Sequence, residues 1–204
     1  MTSNTNPSSD IAFSAAVKNV QERKGSRRAY ARMEERGSWE TRVTPDLKAF
    51  VEAQTSVFLA TASADGQPYV QHRGGPAGFL RVLNEHTIGF VDFAGNKQYI
   101  TSGNLSENPK AQLFLIDYAT RQRIKIWGVA HVVEDNDDLA AQLMPAGYKA
   151  CAEQVVLFTV TAWEANCPQH IPQRLEAGDV DAALALRDAR IAILEAEVKR
   201  LAAL

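Results

Sequence analysis

Residues 93–115 read FAGNKQYITSGNLSENPKAQLFL. A polar turn containing Gly95 carries Asn96, Lys97 and Gln98. A short helix-like stretch follows and stops at Asn108-Pro109, because the residue before a proline is pushed out of the helical region. An apolar strand then alternates Leu113 with Leu115. A helix starting about residues 96–98 would present free amides and the positive end of its dipole, which attract phosphate. Lys97 adds a full charge and Asn96 adds donors. The plainer reading is a solvated turn, since a lysine there is exposed by default.

The segments on either side change period. Thr44-Pro45-Asp46 predicts a helix start: Thr44 caps free amides, Pro45 fits the first turn, and Asp46 meets the dipole. Leu47, Phe50 and Val51 share one face of that helix, which ends near Gln54. Val57 to Thr61 is β-branched, aromatic and apolar. Asp65-Gly66 supplies a hairpin turn, and Pro68 to Arg73 returns as the second strand. Gly74-Gly75-Pro76 breaks it. Phe79 to Leu83 and Thr87 to Phe93 form the next two strands, Leu113 to Tyr118 and Arg123 to Val133 a further pair, and Val155 to Trp163 the last. Short antiparallel strands with one interrupting helix predict a closed or partly closed barrel.

The chain has 204 residues, enough for one domain with a core plus appendages. With 22 Lys+Arg against 24 Asp+Glu, no global field favours nucleic acid or an anionic membrane, so neither is expected as a partner. Apolar runs fall short of the ~18 residues that a spanning helix needs. The polar N-terminal residues lack the apolar stretch of a secretory leader, so a cytoplasmic location is expected. Cys151 and Cys167 make no disulfide framework, and His72, His86 and His131 are not spaced as ligands, so no metal site is expected. Cys151 is placed in a helical stretch, as core.

Strand alternation then groups the polar residues. Tyr69, Gln71 and Arg73 share one face. Arg123, Lys125 and Trp127 share another, with Ile124 and Ile126 directed to the core. Solvent explains two cations better than it explains Trp127; a ligand both anionic and flat would suit all three.

Residues 56–133 resemble the pyridoxamine 5′-phosphate oxidase-like flavoproteins, the FMN-binding split-barrel group. The resemblance is carried by Gly66-Gln67-Pro68, the strand through Arg73, Gly89-Phe90, Gly95-Asn96-Lys97, Glu107-Asn108-Pro109, Leu113-Phe114-Leu115 and Arg123 to Gly128. It implies a mainly β fold: a split β-barrel of antiparallel strands with flanking helices and a C-terminal helix. It also implies a homodimer with FMN at the interface and a small-molecule substrate. Carried over by position, Lys97 corresponds to the phosphate-binding cation, with Asn96 and Gln98 in the same turn. Gln71 and Arg73 lie on the strand that supplies phosphate and ribityl contacts. Val91 and Asp92 lie along the flavin edge, and Arg123 reaches the ring or ribityl chain, with Lys125 and Trp127 beside it. The family favours a hydroxyl residue where this chain has Asp92, which must point elsewhere or meet Arg73 or Arg123. The oxidases' C-terminal substrate-binding segment has no clear equivalent, so pyridoxamine phosphate oxidation is not the expected reaction.

In its place stands Asn166-Cys167-Pro168-Gln169-His170-Ile171-Pro172. His170 is a candidate proton donor and Cys167 a candidate reactive thiol; the alternative is a packed turn. The expected organisation is a disordered tail over 1–10, a helical segment over 11–43 with Arg27, Arg28, Arg32 and Arg36 on one face, the FMN-binding split barrel over 44–172, and a terminal helix over 173–204. In that helix Leu184, Ile191, Leu194, Val198 and Leu201 recur at heptad positions, broken at Arg187, so it either packs on its own barrel or pairs with a second copy. The expected activity is FMN-dependent redox chemistry. The alternatives are an FMN-binding or sensing module without turnover, or the same fold holding a deazaflavin or haem.

Overall fold

The computed structural model describes residues 6–203. One seven-stranded sheet has the order β2-β1-β5-β6-β7-β4-β3. Its strands are β1 (Ser56–Ala62), β2 (Pro68–Gly74), β3 (Arg81–Asn84), β4 (Thr87–Phe93), β5 (Lys110–Asp117), β6 (Gln122–Val133) and β7 (Ala152–Asn166). The β1–β2, β1–β5, β3–β4, β4–β7 and β6–β7 pairings are antiparallel.

The sheet is curled. β2 and β4 are five strands apart in that order, so a flat sheet at about 4.8 Å per strand would separate them by roughly 24 Å. Yet Arg73 Nε on β2 lies 2.8 Å from Asp92 Oδ1 on β4. The sheet therefore rolls into a barrel that stays open between its edge strands β2 and β3, as the split-barrel expectation requires.

Alternation sets the core. Val57 and Leu59 of β1, Leu113 and Leu115 of β5, and Ile124 and Ile126 of β6 all point inward. β4 is buried on both faces. Ile88 and Phe90 enter the main core, and Val91 joins Leu143 and Val155 in a smaller cluster on the other side. The pairing of β6 with β7 shifts register at Trp127/Gly128. A Cβ on Gly128 would stand 2.0 Å from the Thr159 carbonyl oxygen, so only glycine fits there.

The helix α3 (Pro45–Ala53) begins as its sequence requires, with the Thr44 hydroxyl accepting from Leu47 N at 3.2 Å and Leu47 and Val51 buried. Two helices, not one, interrupt the strands: α4 (Ile100–Glu107) and α5 (Asp137–Leu143). The second is short and owes its start to Asn136, whose side chain accepts from Leu139 N at 3.0 Å. Seven residues are too few to display a helical period, which is why the strand pattern hides it. Cys151 is not core; it is exposed in the coil before β7.

The helical segment expected as one run is two helices, α1 (Ala15–Lys24) and α2 (Arg27–Glu35), parted by Gly25 in the left-handed region. Its basic face is partly consumed, because Arg27 donates to Gln21 at 2.6 Å and pairs with Glu34. Of the expected tail, residues 1–5 lie outside the described residues. Ser8–Ile11 is a 3-10 turn with Ser9 buried, its N–H bonded to Ser38 Oγ at 3.0 Å.

The chain divides into two compact units. The first runs up to Ile116 and includes Arg123–Cys167; the second comprises Asp117–Gln122 and Pro168–Leu204. In the second, the Arg174 guanidinium lies 4.5 Å over the Tyr118 ring and Gln173 donates to the Ala119 carbonyl at 2.9 Å. The C-terminal helix α6 (Ala177–Ala202) has no buried residue. No helix among the described residues is long and apolar enough to cross a membrane.

Gly128→Ala forces backbone apart at the β6–β7 shift. It is expected to destabilise the protein by about 3 kcal/mol, the upper range of overpacking costs, read as a lowered urea midpoint. An unchanged midpoint contradicts the close approach.

Candidate functional site

A cleft opens where β2, the end of β4, the start of α4 and the start of β7 meet. Its volume is roughly 220 Å³, and its lining includes Gln71, Arg73, Asp92, Asn96, Lys97 and Gln98. Six of the residues singled out in the sequence thus share one wall. Tyr99, Ser102, Glu153 and Gln154 also line it.

The turn that opens the cleft is unusual backbone. Lys97 (φ 59°) and Tyr99 (φ 53°) are both left-handed, a region costly for residues other than glycine. The Asn96 side chain steadies it by accepting from Gln98 N at 3.2 Å. These two residues delay the helix, which starts at Ile100 rather than at 96–98, with Tyr99 as its N-cap and no side chain capping it. Its first amides point from an uncapped end, which by dipole and hydrogen-bonding capacity favours an anion. Lys97 is exposed and, among the described residues, has no ion-pair partner.

Arg73 is differently placed. Its side chain is 15% exposed and that of Asp92 7%. Nη2 donates to Asp92 Oδ2 at 3.1 Å, while Nε stands close to Oδ1 but off the hydrogen-bond direction, leaving that N–H buried and unused. Asp92 therefore meets Arg73, one of the partners its sequence context allows. The Asp92 carboxylate also accepts from Gln154 Nε2 at 2.9 Å, and Gln154 donates to Ser102 Oγ at 3.0 Å. The Ser102 oxygen accepts that bond, and among the described residues its hydroxyl donates to none. The Thr101 hydroxyl is committed to Gln71 Oε1 at 3.0 Å. On the rim, Tyr99 donates to Glu153 at 2.6 Å. That bond pushes the phenol above its ordinary value. Lys97 is thus the cleft's unpaired cation among the described residues, while Arg73 is neutralised by Asp92.

Other expected residues lie elsewhere. Val91 faces the smaller core cluster, because β4 is buried on both faces and alternation sends it away from the cleft. Arg123, Lys125 and Trp127 do share a face of β6, but they do not line this cleft. Lys125 donates to Glu164 at 2.9 Å. Trp127 is stacked at 4.6 Å and 13° on Trp39, which Phe13 meets edge-on, so the N-terminal segment explains its ring without a ligand. Arg123 Nε is buried and unpartnered. Cys167 is exposed at the end of the first unit and outside the cleft lining. His170 belongs to the second unit, exposed, with φ 65°. No cluster of three metal-ligating side chains occurs among the described residues.

Ser102 is not among the residues singled out in the sequence, although a hydroxyl in the first helical turn is a local signal that could have found it. Gln154 is missed too and has no local signal: it reaches Asp92 only because β4 pairs with β7, where the two residues stand opposite.

A curled, open antiparallel barrel with an anion-ready helix start at its edge defines a class, the split-barrel proteins. Residues 43–167 match the model of the family described as pyridoxamine 5′-phosphate oxidase, and the chain belongs to that family. No curated protein matches the sequence. Among solved structures, HupZ of Group A Streptococcus is 17% identical over 65% of this chain and 98% of its own, with a TM-score of 0.50, a likeness of fold. An FMN-binding protein of Syntrophomonas wolfei is 12% identical, covering 72% of this chain and 97% of its own, TM-score 0.45. HutZ, the haem storage protein of Vibrio cholerae, is 18% identical, covering 61% and 94%, TM-score 0.40.

Removing one partner of a buried ion pair strands the other. Arg73→Met is expected to destabilise the fold by about 3 kcal/mol, and adding Asp92→Asn to recover most of that loss. Urea denaturation of the single and double variants measures both. Equal losses that add would show that the two residues do not couple.

Proposed function

We propose that the cleft holds the phosphate and ribityl chain of FMN and that the protein is an FMN-dependent oxidoreductase of small molecules. The observation that carries this reading is Lys97: an unpaired cation beside an uncapped helix start, in a cleft whose buried arginine is already neutralised. A phosphate there meets the Lys97 ammonium, the first amides of α4 and the free Ser102 hydroxyl. Arg73, fixed by Asp92, shapes the wall of the cleft and adds little net charge to it. The residues present therefore fit the group.

The size of the cleft supports a shared site. At roughly 220 Å³ it falls below the ~300 Å³ at which pockets begin to enclose a whole cofactor. It suits the phosphate and ribityl end, leaving the ring to a surface beyond it. That agrees with a homodimer binding FMN at its interface. When bound, the flavin supplies the hydride or electron transfer. In this reading the chain's own residues anchor it. Both thiols are free and exposed, which agrees with a reducing cytoplasm.

Family membership does not carry the oxidase reaction with it. The segment after β7 is Cys167-Pro168-Gln169-His170, and the oxidases' substrate-binding residues have no counterpart there.

Phosphate recognition can be separated from ring recognition by comparing FMN with riboflavin. The wild-type apoprotein is expected to favour FMN. Lys97→Ala should weaken FMN binding by about 10- to 100-fold, leave riboflavin unaffected, and change stability by less than about 0.5 kcal/mol. Flavin fluorescence quenching measures the affinities and urea denaturation the stability. Unchanged FMN affinity in the variant would move the phosphate elsewhere.

A further inference from the structure

The helix α6 is 26 residues long and buries none of them. Along it, Leu184, Ile191 and Val198 fall at one core position of a heptad, and Val180, Arg187, Leu194 and Leu201 at the other. Ile191, Leu194, Val198 and Leu201 are 44, 47, 65 and 54% exposed, so the stripe is open along its last two heptads. A helix cannot satisfy such a stripe alone.

Three features of the pattern select what covers it. First, the last two heptads place β-branched Ile191 and Val198 at the first core position and Leu194 and Leu201 at the second, the arrangement that favours two parallel strands. Second, the flanking charges complement a parallel partner. Arg190 stands five residues before Glu195, the offset at which a flank of one helix meets the opposite flank of the next, so symmetry forms this pair twice. Of the other flanking pairs, Ala183 with Asp188 and Glu197 with Ala202 carry no repulsion, and the one like-charge pair, Glu176 with Asp181, falls at the N-cap, outside the helix proper. An antiparallel partner would instead set Asp181, Asp188 and Glu195, all on one flank, against their own copies. Third, the break at Arg187 is neutralised within the helix, because its guanidinium pairs with Asp188 at 2.8 Å. Leu186 and Ile193, off the seam, stay exposed.

We propose that α6 pairs with α6 of a second copy as a parallel, in-register, two-stranded coiled coil. Arg187 is then the polar layer that sets register, and Arg190–Glu195 the pair that sets direction. The proposal is independent of any bound flavin.

The test uses the full chain carrying Cys151→Ser and Cys167→Ser, so that no native thiol remains. Val198→Cys places one thiol on the seam; Ala196→Cys places one on the outer face. Both positions are exposed, so neither change removes packing from a core. A disulfide needs the two Cα atoms within about 7 Å, which parallel, in-register pairing provides at 198 and denies at 196. Mild oxidation should give at least about tenfold more covalent dimer from Val198→Cys than from Ala196→Cys. Equal yields overturn the proposal. So does a Val198→Cys protein that stays monomeric alone but cross-links to Arg187→Cys, the signature of antiparallel pairing.

Discussion

The contact between Arg73 and Asp92 is the constraint on which the rest of the structure depends. It joins strands five places apart in the sheet order, so it exists only if the sheet rolls up. It is also buried, and a buried carboxylate is tolerated only when its charge and lone pairs are met. Arg73 meets the charge, and Gln154 takes a lone pair and passes the connection to Ser102 on α4. One carboxylate thus fixes the mouth of the barrel and the first turn of the helix whose uncapped end faces the cleft.

This pairing divides labour between the two cations. An arginine shielded by aspartate contributes shape more than net charge. The charge that draws an anion comes from Lys97, held in a left-handed turn that places it ahead of the helix instead of within it. Strain of this kind persists only where surrounding structure enforces it. Here Asn96 braces the turn and the Tyr99–Glu153 bond ties its far end to β7.

Much of the architecture is legible because it is local. Thr44-Pro45-Asp46 announces α3, Asp65-Gly66 the first hairpin, and the apolar alternation of residues 87–93 gives β4 with its observed bounds. The wall formed by Gln71, Arg73, Asp92, Asn96, Lys97 and Gln98 follows from the same strands and from the family resemblance. What stays hidden depends on distant residues. Gln154 enters the cleft through the register of β4 against β7, and Trp39 covers Trp127 from a segment nearly ninety residues away, so no local pattern reports either. The helix α5 hides because seven residues show no period, and the start of α4 shifts because two non-glycine residues adopt positive φ, which residue type alone does not foretell.

The most direct measurement is the absorption spectrum of the protein as purified, followed by mass analysis of whatever ligand denaturation releases. The account predicts flavin bands and a released species with the mass of FMN, at no more than one per chain. A Soret band, the mass of a deazaflavin, or riboflavin without its phosphate would contradict it.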